Sequence, residues 1–382
     1  MRELLSTEEL IRLLEGVFAP RREDRSLAVL VDLPDERVPD TPAWTERREI
    51  AQQWTRQLDT ARGTLGLETV SLVRYRNVRR NNADLPERAE LIEGAALATG
   101  VVAAKPLPFS QVFSSHRLLI AMTEFSATAP LKLAAPQYGF RGVTMPGFGP
   151  AMIPALRLDY DEIGRRCEAL KSLLDPVAGA RIIFLVDGEP HELELDLRYR
   201  SATVSGGLVR EPGKAGNLPS GETYIVPYEG ERAAEPSRSR GLLPVQFADE
   251  VVVYRIEQNR AVGVRGKGPR ADHERRELAA EPAYGNLAEL GLGVLGDYGL
   301  APIGEILLDE KLGLHIAFGR SDHFGGQIGA DDFSSPDKVV HIDRVYVPEM
   351  QPRIAAKAVD LLAEDGSAAP LMREGRYVTA LA

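Results

Sequence analysis

Short apolar strand patterns alternate with helical patterns through residues 1–178, and this alternation constrains the fold more than any other feature of the sequence. Ser26–Leu33 (SLAVLVDL), Thr69–Tyr75 and Leu118–Met122 are apolar over most of their length. Strands of this kind are buried on both faces, which is typical of a parallel sheet covered by helices. The alternation therefore predicts βαβ units around a mainly parallel sheet.

Helical periodicity occupies the segments between these strands. It predicts helices at Thr7–Phe18, Thr45–Leu65 and Asp159–Leu174. Ser6 and Glu9 have the spacing of a capping box, in which each side chain accepts a hydrogen bond from the other residue's backbone N–H. With these helices, the first half of the chain is predicted to form an α/β N-terminal domain.

The pattern changes after Pro176 from helices to strands and turns. The run ARIIFLVDGEPHELELDLRY places Asp-Gly between two alternating runs, which is a strong signal for a β-hairpin. We therefore predict two domains. Residues 1–178 form the α/β domain, and residues 179–382 form a β-rich α+β C-terminal domain that binds metal.

Charge and cysteine content exclude several classes of function. The 382 residues include 46 lysines and arginines against 56 aspartates and glutamates, a net charge of −10, so nucleic acid is not an expected partner. The single cysteine permits no intramolecular disulfide and no thiolate metal cluster. The run MRELLSTEELIRLLEGVF mixes charges with apolar residues, and no apolar run approaches the roughly 18 residues of a membrane helix. We expect no signal peptide, no membrane partner and a cytoplasmic location.

Ionisable residues in the second half share strand faces with small residues. In NLAELGLGV, period-two alternation places Glu289 on the same face as two glycines, and in LHIAFG it places His315 with an alanine and a glycine. Small neighbours leave room for a ligand beside the ionisable group. In VVHIDRVYV, His341 and Asp343 are two residues apart, so both side chains project to one side of a strand.

Each of these signals is weak alone. A surface pair or a core pair with satisfied hydrogen bonds also explains His341 and Asp343, and Glu222, after the turn in GNLPSGETYIVP, is also compatible with an ordinary solvated glutamate. As a set, the candidates supply two imidazoles, three carboxylates and no sulfur, which suits Zn²⁺, Mn²⁺, Co²⁺ or Fe²⁺. The set is large enough for two ions that share a carboxylate. Two ions about 3.5–4 Å apart activate water and polarise a carbonyl, which is hydrolytic chemistry.

Four runs in this order, NLPSGETYIVP, AELGLG, LDEKLGLHIAFG and HID, resemble the metallopeptidases typified by aminopeptidase T and aminopeptidase S. The resemblance implies two catalytic divalent metal ions (Zn, Co or Mn), with Glu289 as the bridging ligand. It also implies hydrolysis of amide bonds in short peptides or a peptide-like metabolite, and a homodimer. The residues that match the family's metal ligands are Glu222, Glu289, His315, His341 and Asp343.

Two further residues enter through the same resemblance. Glu310 matches another active-site glutamate of the family, which acts as general base or as an extra ligand, although the run EILLDEKLG is equally compatible with Glu310 in solvent. The family carries a tyrosine after the HIAFG-like strand that stabilises the tetrahedral intermediate, whereas this chain reads GRSDHFGG. We expect His323 to donate the corresponding hydrogen bond, with an ordinary loop histidine as the alternative.

A related iron enzyme supplies an alternative function. The 2,5-dihydroxypyridine 5,6-dioxygenase resembles these peptidases but holds Fe(II) with two histidines and one carboxylate, and a histidine stands there in place of Glu289. A triad of Glu289, His341 and Asp343 has one histidine and two carboxylates, which favours the hydrolase. A third alternative is a catalytically silent binding protein that retained the fold.

Overall fold

The computed structural model describes residues 4–94, 97 and 104–381, and contacts divide the chain into two compact units. The first unit comprises Met1–Ile163 and Gly207–Ser220, and the second comprises Gly164–Gly206 and Gly221–Ala382. This division differs from the predicted boundary, because Gly207–Ser220 carries a strand that pairs in the sheet of the first unit. The division into two separate domains, residues 1–178 and residues 179–382, remains a prediction.

The helices and strands of the described residues are numbered here in chain order. The α-helices are α1 (Thr7–Phe18), α2 (Pro42–Thr60), α3 (Phe109–Ser115), α4 (Thr128–Tyr138), α5 (Ile153–Leu156), α6 (Tyr160–Leu174), α7 (Pro269–Ala280) and α8 (Ile306–Asp309). The strands are β1 (Ser26–Leu33), β2 (Thr69–Arg76), β3 (Arg88–Glu93), β4 (Lys105–Pro108), β5 (Leu118–Ala121), β6 (Arg141–Thr144), β7 (Gly179–Val186), β8 (Glu189–Asp196), β9 (Thr203–Ser205), β10 (Ala215–Asn217), β11 (Glu222–Ile225), β12 (Arg240–Phe247), β13 (Glu250–Glu257), β14 (Arg260–Arg265), β15 (Leu287–Gly293), β16 (Leu314–Gly319), β17 (His341–Val345), β18 (Ile354–Leu362), β19 (Ala368–Arg373) and β20 (Arg376–Tyr377). Short 3-10 helices lie at Pro150–Met152, Pro282–Gly285, Leu295–Tyr298, Glu310–Leu312, Asp322–Phe324 and Ala330–Asp332.

A mixed sheet forms the centre of the first unit. Among the described strands its order is β10-β6-β5-β1-β2-β3-β4. The neighbours from β10 to β2 pair in parallel, whereas β3 and β4 are added antiparallel at one edge. The central strand β1 is buried from Leu27 to Val31, as its continuous apolar sequence predicts. The α/β character of this part of the chain is confirmed.

Local signals in the first unit match the structure closely. The helix α1 and the strand β1 have the predicted bounds, and the capping box forms: Ser6 Oγ accepts from Glu9 N at 3.2 Å and Glu9 Oε2 accepts from Ser6 N at 2.8 Å. The helix α2 begins three residues before its predicted start and ends at Thr60, five residues before its predicted end. Thr41 caps it and Pro42 supplies the pre-set φ of a first helical turn.

The second unit contains two antiparallel sheets. In the described chain the larger has the order β14-β13-β12-β8-β7-β18-β19-β20, and the smaller has the order β17-β16-β15-β11-β9. The predicted hairpin forms between β7 and β8, where Asp187 and Gly188 both have the positive φ that a two-residue hairpin turn requires. No helix in the described part of the chain is both long and apolar enough to cross a bilayer.

Candidate metal centre

The smaller sheet aligns the predicted ligands through its antiparallel register. Directly opposite residues of neighbouring strands project from the same face. Glu289 of β15 lies opposite Ala317 of β16, which in turn lies opposite Asp343 of β17. One row along, Gly291 lies opposite His315. Glutamate, histidine and aspartate therefore share one face although they come from three strands.

The same face carries the remaining predicted ligands beside glycines. Glu222, at the start of β11, lies opposite Gly293, and His341, at the start of β17, lies opposite Gly319. Small residues are required at these positions because neighbouring side chains or backbone atoms approach them closely. A Cβ atom at Gly291 would overlap the imidazole of His315, as the same-face pattern predicts for a site that needs room.

The side chains converge on Glu289, which is 3% exposed. Its Oε1 lies 3.3 Å from His315 Nε2, and its Oε2 lies 3.3 Å from His341 Nε2. Glu222 Oε2 lies 3.5 Å from His315 Nε2, and Asp343 Oδ1 lies 3.4 Å from His341 Nε2. The structure thus brings all five predicted ligands together.

These side chains form two groups whose donor atoms lie within 4.8 Å of one another. The first donor group is Glu222, Glu289 and His315, and the second donor group is Glu289, His341 and Asp343. Glu289 belongs to both. The oxygen and nitrogen donors suit a divalent cation such as Zn²⁺, Mn²⁺ or Co²⁺. The buried Glu222 Oε2 accepts no hydrogen bond from any described residue and lies 3.5 Å from His315 Nε2, which belongs to the same donor group, so the residues fit metal binding.

Backbone carbonyls orient the histidines. His341 Nδ1 lies 2.8 Å from the carbonyl oxygen of Arg320, and His315 Nδ1 lies 3.4 Å from that of Gly313. A proton on each Nδ1 makes this contact favourable and directs Nε2 towards the carboxylates. Metal-binding histidines commonly have a carbonyl partner of this kind.

The carboxylates and imidazoles of the cluster shift one another's pKa values strongly. Burial alone would raise the pKa of Glu289, but hydrogen bonds from His315 and His341 outweigh it and lower the pKa to about 2. Burial alone would lower the pKa of His315, but Glu289 and Glu222 raise it to about 9. The pKa of Asp343 is held well below its usual value, because His341 outweighs the effect of burial. Without a cation, the imidazoles therefore carry the positive charge that balances the carboxylates.

Glu310 lies beside the cluster together with a residue that the sequence analysis missed. Both stand on the 3-10 helix Glu310–Leu312, and Lys311 is 1% exposed. Lys311 Nζ donates to Glu222 Oε1 at 2.5 Å and also to Glu310 Oε1. Burial raises the pKa of Glu310 to about 8, with Lys311 opposing the rise. A lysine in the run DEKLG carries the pattern of a solvated helix face, so the sequence offered no local signal for its burial.

His323 lies on the 3-10 helix Asp322–Phe324, in the segment between β16 and β17. Its ring centroid is 4.0 Å from that of Phe324 and 5.3 Å from that of His341. His323 is an exposed residue, and its Nδ1 lies 3.4 Å from Asp322 Oδ1. Partial desolvation and the neighbouring His341 outweigh Asp322 and lower the pKa of His323 to about 4, which keeps its imidazole neutral near pH 7. The structure therefore places this predicted hydrogen-bond donor next to the second donor group.

Tyr224 is a second residue that the sequence analysis missed. It follows Glu222 by two residues on β11, lies opposite Gly291 and packs on Phe324 with ring centroids 4.7 Å apart. Its phenol is 6% exposed. Period-two alternation from Glu222 was the available signal, because it places both side chains on one face.

Fold and side chains together define a class of protein: an α/β unit and a β-rich unit, the latter with carboxylate and imidazole donors suited to divalent metal. Comparison with known proteins identifies relatives of similar sequence. Aminopeptidase T of Thermus thermophilus is 30% identical over 188 residues, which are 47% of this chain and 43% of the relative. Aminopeptidase T of Thermus aquaticus is 28% identical over 250 residues, 60% of this chain and 58% of the relative. The matches span about half the length of these relatives. No protein-family model matches the chain.

Solved structures show the same fold. The 2,5-dihydroxypyridine dioxygenase of Pseudomonas putida superposes with a TM-score of 0.62 at 16% identity and covers 99% of both chains. Wild-type aminopeptidase T of Thermus thermophilus superposes with a TM-score of 0.56 at 16% identity and covers 97% of this chain and 99% of its own. The resemblance to aminopeptidase T that the sequence motifs predict is confirmed.

Proposed function

We propose that this chain is a metal-dependent hydrolase of amide bonds that acts, like an aminopeptidase, on short peptides or a peptide-like metabolite. The observation that carries the proposal is the position of Glu289. Its two carboxylate oxygens face different histidines at 3.3 Å each, so one side chain belongs to both donor groups. A carboxylate shared in this way is suited to bridge the two ions of a hydrolytic site.

The first donor group would hold one divalent ion and the second donor group the other, with Zn²⁺, Co²⁺ or Mn²⁺ as the candidates. When bound, such ions supply an activated water and Lewis-acid polarisation of the scissile carbonyl. Oxygen and nitrogen donors without thiolate are compatible with each of these three metals.

The neighbouring side chains handle the proton and the developing charge. Glu310 accepts a proton from the attacking water and returns it to the leaving amine, since burial favours its neutral form and Lys311 favours its ionised form. His323, neutral and next to His341, donates a hydrogen bond to the developing oxyanion. Tyr224 packs on Phe324 beside this side of the cluster.

The test combines metal analysis with a variant that lacks the proposed bridging ligand, Glu289. Wild-type protein purified without chelators should contain about two Zn, Mn or Co per chain and hydrolyse short peptides with a free amino terminus. Glu289→Ala should lower metal content and abolish turnover, because it removes a ligand from both donor groups. Glu189→Ala, which removes an exposed carboxylate at the start of β8, is the matched control and should change neither quantity. Full metal occupancy and unchanged turnover in Glu289→Ala would refute the proposal.

A ring-cleaving dioxygenase is the second candidate, because the dioxygenase structure covers this chain almost completely. Each donor group here has one histidine and two carboxylates, which is unlike the two-histidine triad of non-haem Fe(II) oxygenases. One Fe(II) per chain with oxygen uptake on hydroxylated pyridines would favour this candidate. Absence of bound metal after anaerobic, chelator-free purification would favour a catalytically silent binding protein.

The remaining expectations about assembly and surroundings also stay predictions. The resemblance implies a homodimer, and the acidic composition argues against nucleic acid as a partner. The cytoplasmic location is an expectation from the sequence. We infer that the physiological partner is a small peptide or peptide-like molecule.

A further inference from the structure

A buried lysine lies against the candidate metal centre. Lys311 is 1% exposed, and its Nζ donates to Glu222 Oε1 at 2.5 Å and to Glu310 Oε1. Lysine is rarely buried unless it is paired, and here both partners are carboxylates. The ammonium therefore carries a fixed positive charge into a cluster that otherwise suits divalent cations.

The lysine contacts only one of the two donor groups among the described residues. Glu222 of the first donor group gives one oxygen to Lys311 and leaves Oε2 for a cation. In the second donor group, Asp343 Oδ1 faces His341 Nε2 at 3.4 Å, and the described contacts of Glu289 are to the histidines. The two groups therefore differ in charge although both contain two carboxylates and one histidine.

The position of the lysine backbone is set by close packing. A Cβ atom at Gly293 would overlap the backbone carbonyl group of Lys311, so the chain at Lys311 crosses directly over the end of β15. Gly293 is also the residue opposite Glu222 in the sheet. The side chain of Lys311 thus starts close to the carboxylate that it binds.

We propose that Lys311 makes the two metal positions unequal, so that the second donor group binds its divalent ion first and the first donor group binds more weakly. This inference rests on the proposed metal-dependent function. A carboxylate that already forms a charge-assisted hydrogen bond to an ammonium is a poorer ligand, and like charges at short range repel. When the first position is empty, the ammonium of Lys311 is the cation that pairs with Glu222.

The inference is tested by titrating metal-free full-length protein with Co²⁺, followed by calorimetry and by the visible absorption of bound Co²⁺. Wild-type protein should show two binding events whose Kd values differ by at least about tenfold. Asp343→Asn should abolish the tighter event, and Glu222→Gln should abolish the weaker one. Two events of equal affinity in the wild type would overturn the inference while leaving the proposed function standing.

The lysine itself is tested with Lys311→Met, which keeps most of the side-chain volume and removes the charge. The Kd of the weaker binding event should fall by at least about tenfold. The Kd of the tighter binding event should change by less than about threefold. Lys338→Met is the matched control, because Lys338 is 49% exposed, and should alter neither event. If the Kd of the weaker binding event stays unchanged or rises in folded Lys311→Met, the inference is overturned.

A second variant covers the case in which Lys311→Met does not fold, as judged by circular dichroism. Lys311→Gln removes the charge but keeps an N–H donor for Glu222, so the Kd of the weaker event should again fall. A Kd of the weaker event that stays unchanged or rises in Lys311→Gln would contradict the proposed role of the lysine. Absence of any Co²⁺ binding by wild-type protein would instead refute the proposed function and, with it, this inference.

Discussion

At the residue scale, the candidate centre depends on ionisable side chains placed where apolar ones would otherwise pack. Glu289 and His315 lie in strands whose other side chains are buried, and their charges are balanced by each other. An uncompensated charge at such a position would be costly, so each of these groups needs a partner of opposite charge. The sequence identified these residues because alternation along a strand assigns each one to a face.

A prediction at this scale concerns His323. His323→Ala should lower kcat/KM for peptide hydrolysis by about 10²-fold while leaving metal content unchanged, because it removes a hydrogen-bond donor to the oxyanion and no metal ligand. The measurement is steady-state kinetics paired with elemental analysis. His273→Ala, on α7, is the control and should retain both properties. Loss of metal in His323→Ala would show that the residue supports the second donor group instead.

At the element scale, the register of β15, β16 and β17 converts three separate sequence signals into one site. Each ionisable residue stands opposite a small one: Gly291 faces His315, and Ala317 separates Glu289 from Asp343. A slip of one residue would turn these side chains to the opposite face of the sheet. The small residues are therefore part of the site although they carry no polar side chain.

A glycine substitution tests this arrangement. Gly291→Ala should destabilise the protein by about 1–3 kcal/mol and weaken metal binding by the first donor group, because its Cβ would displace the His315 imidazole. Urea denaturation and Co²⁺ titration measure the two effects. Gly263→Ala in β14 is the matched strand control, since its Cβ would meet Arg255 only at ordinary contact distance of 3.6 Å. Equal behaviour of the two variants would contradict the role assigned to Gly291.

At the scale of the whole molecule, folding concentrates negative charge. Glu222 and Glu289 are buried, and Glu310 and Asp343, which come from other elements, are partly buried beside them. Lys311 and the imidazoles compensate their negative charges. A ligand that binds only the folded chain stabilises it by mass action. Metal binding should therefore be visible in the stability of the protein.

Metal removal gives the corresponding prediction. Protein stripped with a chelator should unfold at a lower temperature than protein with Zn²⁺ or Mn²⁺ at 100 times its Kd, which corresponds to a stabilisation of about 2.7 kcal/mol per independent site. Thermal denaturation with and without metal measures the difference. In Glu289→Ala the metal-dependent shift should largely disappear. Identical melting temperatures for stripped and metal-supplemented wild-type protein would contradict metal binding to the folded state.

Local sequence patterns predicted the bounds of several helices and strands, but not the pairing partner of every strand. The bounds of α1 and β1, the Ser6–Glu9 capping box and the β7–β8 hairpin followed from neighbouring residues alone. The membership of Gly207–Ser220 in the first unit did not, because its strand β10 pairs with β6. A three-residue strand has too short a pattern to indicate its partner.

The sequence by itself determined which residues could act as ligands and which face of a strand each one occupies, because the two-residue period of an extended chain is a local property. Only the tertiary structure decided which strands became neighbours and where the compensating charge came from. Lys311 and Glu222 are 89 residues apart in the chain, and their hydrogen bond exists only after β11 and β15 pair and the chain crosses over Gly293. Contacts between distant residues depend on packing, which no local pattern encodes.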